Sequence, residues 1–217
     1  MVGARRTAGP GGFGRLMPTT RLEAFSDGVF AIVITLLVLD LHVPESPDRL
    51  LAELADEWPY FLGYLVSFAF IGGMWIAHTA LTAVLEAADA VFLGLNLLLL
   101  LFVSIMPFTT KRFTTHLLDS GQRVAVVTFG VNLTLAALTS RLLAGYAARS
   151  PLLKPGIDPA NVTSMVGQRS AGVVLTTLST AISAVLPKVA VIFYLALSVA
   201  LIAQPLWVLH RRATRPA

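Results

Sequence analysis

Six predominantly apolar runs follow one another along the chain with shorter polar stretches between them, at 22–41, 59–81, 90–108, 124–146, 170–186 and 189–209. Each is close to the roughly 20 residues that a helix needs to cross a ~30 Å hydrocarbon core. The third run, centred on LGLNLLLLLFVSIM, is the most uniformly apolar, and the fifth, VVLTTLSTAISAV, is diluted by Ser and Thr. Pro187-Lys188 leaves room only for a tight turn between the last two, which makes them a helical hairpin. A transmembrane barrel would alternate apolar and polar positions in segments of about ten residues; these runs are continuous. The pattern predicts an all-α integral membrane protein with six transmembrane helices.

The polar stretches divide the chain further. Residues 1–20, rich in Gly, Pro and Arg, read as a disordered basic N-terminal tail. Residues 21–210 form the membrane domain and 211–217 a short basic C-terminal tail. Ser46 is placed to cap a short amphipathic helix containing Leu50, Leu51 and Leu54. The stretch KPGIDPANVTSMVGQR reads as a polar linker between the fourth and fifth runs.

Composition agrees with the pattern. Of the 217 residues, 56% are hydrophobic and 13% charged, against roughly 25% charged in soluble domains. Mean hydropathy is +0.77. Cytoplasmic loops of membrane proteins carry an excess of Lys and Arg. Six spans put ten basic residues on the side of both termini and five on the other, where the first loop is also acidic with Glu45, Asp48, Glu53, Asp56 and Glu57. Both termini are therefore expected in the cytoplasm, with the chain in the plasma membrane. The net charge of +4 is accounted for by basic flanks facing anionic lipid and calls for no nucleic-acid partner. There is no cysteine. No Walker loop, His-Glu-x-x-His or Gly-x-Ser-x-Gly motif occurs, and the four histidines lie on four different segments. No enzyme, no cofactor and no tight metal site is predicted.

The first run has charges at its entrance, RLEAFSDGVFAIVITLLVLDL over 21–41. Ile32, Leu36 and Leu39 are spaced four and three and share one helical stripe, with Thr35 at its border. Asp27, five residues before Ile32, is turned about 140° away. An acid within a membrane needs a partner, and the candidates are Arg21, Ser67, Trp75 and His78 of the second run, and Asn96 of the third. Taken singly, each feature has a plainer reading: the stripe as lipid-facing or packing surface, Arg21 as an interfacial anchor, His78 as a bonded packing residue, Asn96 as an interhelical hydrogen bond. The residues alone do not choose a transported species.

Arg21-Leu-Glu-Ala-Phe25-Ser26-Asp27 resembles the R-x-x-x-F-S-D signature that opens the first helix of the endosomal/lysosomal potassium-channel family of transmembrane-protein-175 type. SDGVFAIVITLLVL, GMWIAHTAL and NLLLLLFVSIMPF are similar to the family's first three helices, so the likeness covers about 20–112. The single six-span unit resembles the prokaryotic members. The resemblance implies a homotetramer in which the first helices line one central pore without a Thr-Val-Gly-Tyr-Gly filter. Ile32, Leu36 and Leu39 then match stacked apolar rings that constrict the path, and Thr35 a threonine tied to preference for potassium, so potassium would transit near Ile32 and Thr35. Arg21, Phe25, Ser26 and Asp27 would be a structural latch onto Trp75, His78 and Asn96. The function implied is a modestly selective potassium channel with a hydrophobic gate, whose partners are potassium ions, membrane lipid and further copies of itself. The alternatives are a secondary transporter for cations or a small solute, which should show paired midspan helix breaks, and a leak pathway for protons. Gly72-Gly73 is a break without a counterpart.

Overall fold

The computed structural model describes residues 16–41, 49–149 and 151–213, with side chains described as far as Leu201. The architecture is almost entirely helical. A two-residue strand β1 (Met17–Pro18) leads into α1 (Thr19–Leu36), which tightens into a 3-10 turn at Leu37–Asp40. There follow α2 (Leu50–Asp56), α3 (Trp58–Thr82), a second two-residue strand β2 (Ala87–Ala88), α4 (Ala90–Thr115), α5 (Gln122–Arg149), α6 (Pro159–Ser183) and α7 (Pro187–Ala213).

Among the described residues, four helical segments have the length and apolarity to cross a membrane: Thr19–Asp40, Trp58–Thr82, Ala90–Thr115 and Gln122–Arg149. Pro187–Leu201 is a shorter apolar helix. The fifth expected run differs most from expectation. It was expected to start at 170 after a polar linker, but helix α6 starts at Pro159, so the second part of that linker is helical and Asn161-Val-Thr lies on the helix. The cause is local. Asp158 sits at the N-cap and accepts from the Ala160 N–H at 2.8 Å, and Pro159 fills the first helical position, where its missing N–H costs nothing.

Two further boundaries shift. The tail expected over 1–20 falls outside the described residues up to 15, but Met17–Pro18 pair with Ala87–Ala88 in antiparallel register and Thr19 already starts α1. Helix α7 continues to Ala213, past the expected start of the C-terminal tail at 211. Helix α2 forms over Leu50–Asp56 as expected; its expected cap, Ser46, lies outside the described residues.

Packing follows sequence order, with α1 against α3 and α4, α4 against α5, α5 against α6, and α7 returning to α3 and α6. Phe113 stacks on Phe129 at 5.0 Å, and Phe129 meets Tyr194 edge-on at 5.6 Å, so α4, α5 and α7 share one aromatic centre. Gly130 allows this approach: a Cβ there would overlap the Tyr194 hydroxyl and Thr180. Pro107 inside α4 removes one ladder N–H. Around it, Thr109 and Thr110 donate to the Met106 carbonyl at 3.0 and 2.7 Å, and Asn132 of α5 donates to the Phe102 carbonyl at 3.1 Å.

Each end of the bundle is tied differently. At one end the α3–α4 loop lies between β1 and the α5–α6 loop. Glu86 N donates to Leu152 O at 2.8 Å, Lys154 N to Val84 O at 3.0 Å, and Lys154 Nζ to Ala83 O at 2.8 Å. That ammonium meets a carbonyl left over at the C-terminus of α3, where a cation is favoured. At the other end, Lys111 of α4 pairs with Asp40 at 3.4 Å, which anchors the far end of the first helical segment.

Candidate functional site

Helix α1 has two unlike faces. Leu22, Ser26, Phe30, Val33 and Leu37, spaced four, four, three and four, are buried against α3 and α4. On the opposite side Ile32 is 61% exposed, Leu36 42% and Leu39 74%, whereas Val33 is 3% and Leu37 1% exposed. Thr35 is exposed between them, and its hydroxyl donates to the Ile32 carbonyl at 2.8 Å. That bond occupies the only donor of Thr35 and leaves its oxygen able to accept. Leu39 lies in the 3-10 turn, not on continuous α-helix as its spacing predicts. The exposed stripe offers methyl groups and carries no charge.

Behind the stripe, polar side chains bind α1 to its neighbours. His78 Nε2 and Asn96 Oδ1 are 2.8 Å apart, and Asn96 Nδ2 donates to Ser26 Oγ at 3.1 Å. Because the Asn96 nitrogen faces Ser26, its oxygen faces the ring, and His78 Nε2 must be the donor. All three residues are buried. Buried polar groups are costly unless bonded, and these bonds join α1 to α3 and α4. The His78 ring also leans on Phe30, with centroids 5.7 Å apart. One step around the helix, Trp75 Nε1 donates to Asp27 Oδ1 at 2.9 Å.

The structure thus brings together Ser26, Asp27, Trp75, His78 and Asn96. It does not bring in Arg21 or Phe25. Both are exposed, and among the described residues Arg21 has no hydrogen bond or ion pair. The partner of Asp27 is the Trp75 indole rather than an arginine. Ser67 does not join the group either; its hydroxyl meets Thr110 at 2.7 Å.

Two arginines that sequence reasoning left aside are hydrogen-bonded between helices. Arg169, taken as part of the polar linker, donates from Nη2 to the Ala77 carbonyl at 2.6 Å, from Nη1 to Met165 O at 3.3 Å and from Nε to Ser140 Oγ at 3.3 Å. Arg141 donates from Nε to Ser170 Oγ at 2.8 Å. The two adjacent pairs, Ser140-Arg141 and Arg169-Ser170, are visible in the sequence as mirror-image dipeptides on antiparallel neighbours. Among the described residues, no three His, Asp or Glu side chains converge as a metal site.

The fold and this site define a helical membrane protein in which one helix is held by a buried polar chain and presents an uncovered apolar stripe. A family model described as "Endosomal/lysosomal potassium channel TMEM175" matches residues 21–107. A potassium channel of Chamaesiphon minutus is 37% identical over 190 residues, which is 84% of this chain and 94% of that protein. The endosomal/lysosomal proton channel TMEM175 of Bos taurus is 40% identical over 119 residues, covering 49% of this chain and 25% of that protein. The crystal structure of a lysosomal potassium-selective channel TMEM175 homolog from Chamaesiphon minutus aligns with a TM-score of 0.77 at 32% identity, over 86% of this chain and 97% of that one. The chain belongs to the TMEM175 family, a family of ion channels and not of enzymes.

Proposed function

We propose that this protein is a potassium-permeable channel, modestly selective, assembled as a homotetramer around one pore lined by α1. One observation carries the reading. The packed face of α1 is sealed against α3 and α4, while the apolar stripe of Ile32, Leu36 and Leu39 is left uncovered by the described residues. Four such stripes facing an axis make stacked apolar rings. A ring too narrow for a hydrated ion dewets and blocks. Opening then consists of a tilt or rotation of α1 that widens the rings. Potassium sheds water more easily than sodium, so a narrow greasy neck penalises sodium more; the oxygen of Thr35 is an acceptor beside the constriction. The Ser26–Asn96–His78 chain and the Asp27–Trp75 bond hold the stripe toward the axis.

The same reading takes α1, α3, α4, α5, α6 and α7 as six spans. The apolar second half of α6 and the apolar α7 support it, as does their packing against one another. It puts β1, the α3–α4 loop and the Lys154 loop on the cytoplasmic side of the plasma membrane with both termini, in line with the distribution of Lys and Arg. The Asp40–Lys111 end then faces outward.

The experiment is ion flux from liposomes of purified protein, read with potassium- and proton-sensitive dyes, alongside mass measurement in nanodiscs. Potassium efflux down its gradient without a coupled substrate, from particles of four chains, is expected. Potassium flux from a stable monomer or dimer would overturn the pore geometry, and proton flux without potassium flux would overturn the ion.

A further inference from the structure

A groove of about 310 Å³ runs between α5 and α6, lined by Val131, Thr134, Leu135, Thr177, Thr180 and Ala181. Its threonine hydroxyls are already satisfied. Thr134 meets Thr180 at 3.2 Å, Thr180 meets the Tyr194 hydroxyl at 3.1 Å, and Thr177 donates to Val173 O at 2.7 Å. The wall therefore presents methyl groups. Leu138 and Leu142 of α5 and Val174 of α6 carry apolar surface onward, exposed, toward the α5–α6 loop.

At that end stands a charge. Arg141 lies seven residues beyond Thr134 on α5, and Ser170 seven before Thr177 on α6. Each is two turns away on the same helical face, about 10 Å along the axis. The two are joined by the Nε–Oγ bond of 2.8 Å, and Ser170 in turn donates to Val166 O at 2.8 Å. Only Nε of Arg141 is engaged. Among the described residues its terminal nitrogens meet no acceptor, and no carboxylate pairs with it. An arginine side chain set within a bilayer-facing helix is expensive without a counter-charge. A guanidinium with its outer edge free is shaped for two oxygens of a phosphate.

We propose that the α5–α6 groove binds one anionic phospholipid, its phosphate on the free edge of Arg141 and an acyl chain along Val131, Leu135 and Ala181. The proposal rests on α5 and α6 both crossing the membrane, as in the reading above. Charge complementarity selects an anionic headgroup over a zwitterionic one, and the apolar groove selects a lipid over free phosphate.

The test is native mass spectrometry of the full chain in detergent with added phosphatidylglycerol, phosphatidylcholine or inorganic phosphate. The wild type should retain phosphatidylglycerol over phosphatidylcholine. Arg141→Gln should lower that retention roughly tenfold, the scale of one charge-assisted contact, and Arg141→Lys should lower it less. Ala181→Trp fills the groove with the charge intact and should also release the lipid, so the proposal survives a poorly folding Arg141 variant. Equal retention by wild type and Arg141→Gln, or equal retention of the two lipids, overturns it. So does inorganic phosphate binding that Ala181→Trp leaves untouched, or disulfide cross-linking of Ala181→Cys between copies, which would mean that a second chain covers the groove. Potassium flux of the same preparations separates the two readings. Flux without selective lipid retention removes the lipid site alone, and retention without flux removes the channel alone.

Discussion

His78 and Asn96 meet at 2.8 Å in the interior of the bundle, and this contact turns the Asn96 amide so that its nitrogen reaches Ser26 of α1. One side chain of α4 thereby serves a donor on α3 and an acceptor on α1. Asn96→Leu keeps the branched shape and removes both bonds. Each buried group left without a partner costs about 1–3 kcal/mol. The expected result is a clear fall in the melting temperature of the detergent-solubilised protein, with His78→Phe and Asn96→Leu together costing less than the sum of the two. Additive losses would mean that the two residues do not act as a unit.

Asp27 gives a smaller effect than a buried ion pair would. Its bonded partner is the Trp75 indole at 2.9 Å. A hydrogen bond to a charged group is worth about 1.5–3 kcal/mol, against about 3–5 kcal/mol for breaking a buried charge pair. Asp27→Ala and Trp75→Phe should each lose the smaller amount, measured by thermal unfolding, while Arg21→Ala should change little. A loss from Arg21→Ala that matches Asp27→Ala and disappears in the Asp27→Ala background would restore the arginine as the partner.

At the end of the bundle opposite β1, between α4 and α5, Asp119 is held below its ordinary value of 3.8, first by the His116 ring at 2.8 Å and then by the Gly121 N–H at 2.6 Å. A carboxylate whose folded value is depressed contributes stability that is present above its unfolded value and lost as pH falls through the folded one. On acidification, the stability difference between wild type and Asp119→Asn should thus shrink as pH falls through and below the ordinary aspartate range. A difference that does not shrink on acidification would contradict the assignment.

What the sequence made legible follows the range of the interactions. The two faces of α1 rest on a period of three and four residues, so Ile32 and Val33 separate on spacing alone. Ser26, Asp27, Trp75, His78 and Asn96 stood out because polar residues in apolar runs must find partners. The start of α6 was also local, in Asp158-Pro159, but the polar composition of the following turns outweighed it. Arg21 misled because charge complementarity with Asp27 ignores which way each side chain leaves the helix. Contacts such as Asp40–Lys111, Tyr146–Asp89 at 2.5 Å and Lys154–Ala83 join distant segments, and no periodicity announces them.

The gate gives the sharpest comparison. Ile32→Asn and Leu37→Asn place the same amide on opposite faces of one helical segment. Ile32 is on the uncovered stripe and Leu37 is packed against α3 and α4. If four α1 stripes form the constriction, Ile32→Asn introduces four amides into an apolar neck. Such a neck excludes water because it offers no hydrogen bonds, and the amides supply them. Potassium flux should rise, and the preference for potassium over sodium should fall. Leu37→Asn buries an amide with no partner, at a cost of roughly 1–3 kcal/mol, so it should lower the melting temperature and leave the flux per assembled channel unchanged. Both variants belong in the same liposome assay, normalised to assembled protein by mass measurement. Equal flux from the two, or no gain from a correctly assembled Ile32→Asn channel, would mean that ions pass somewhere other than along α1.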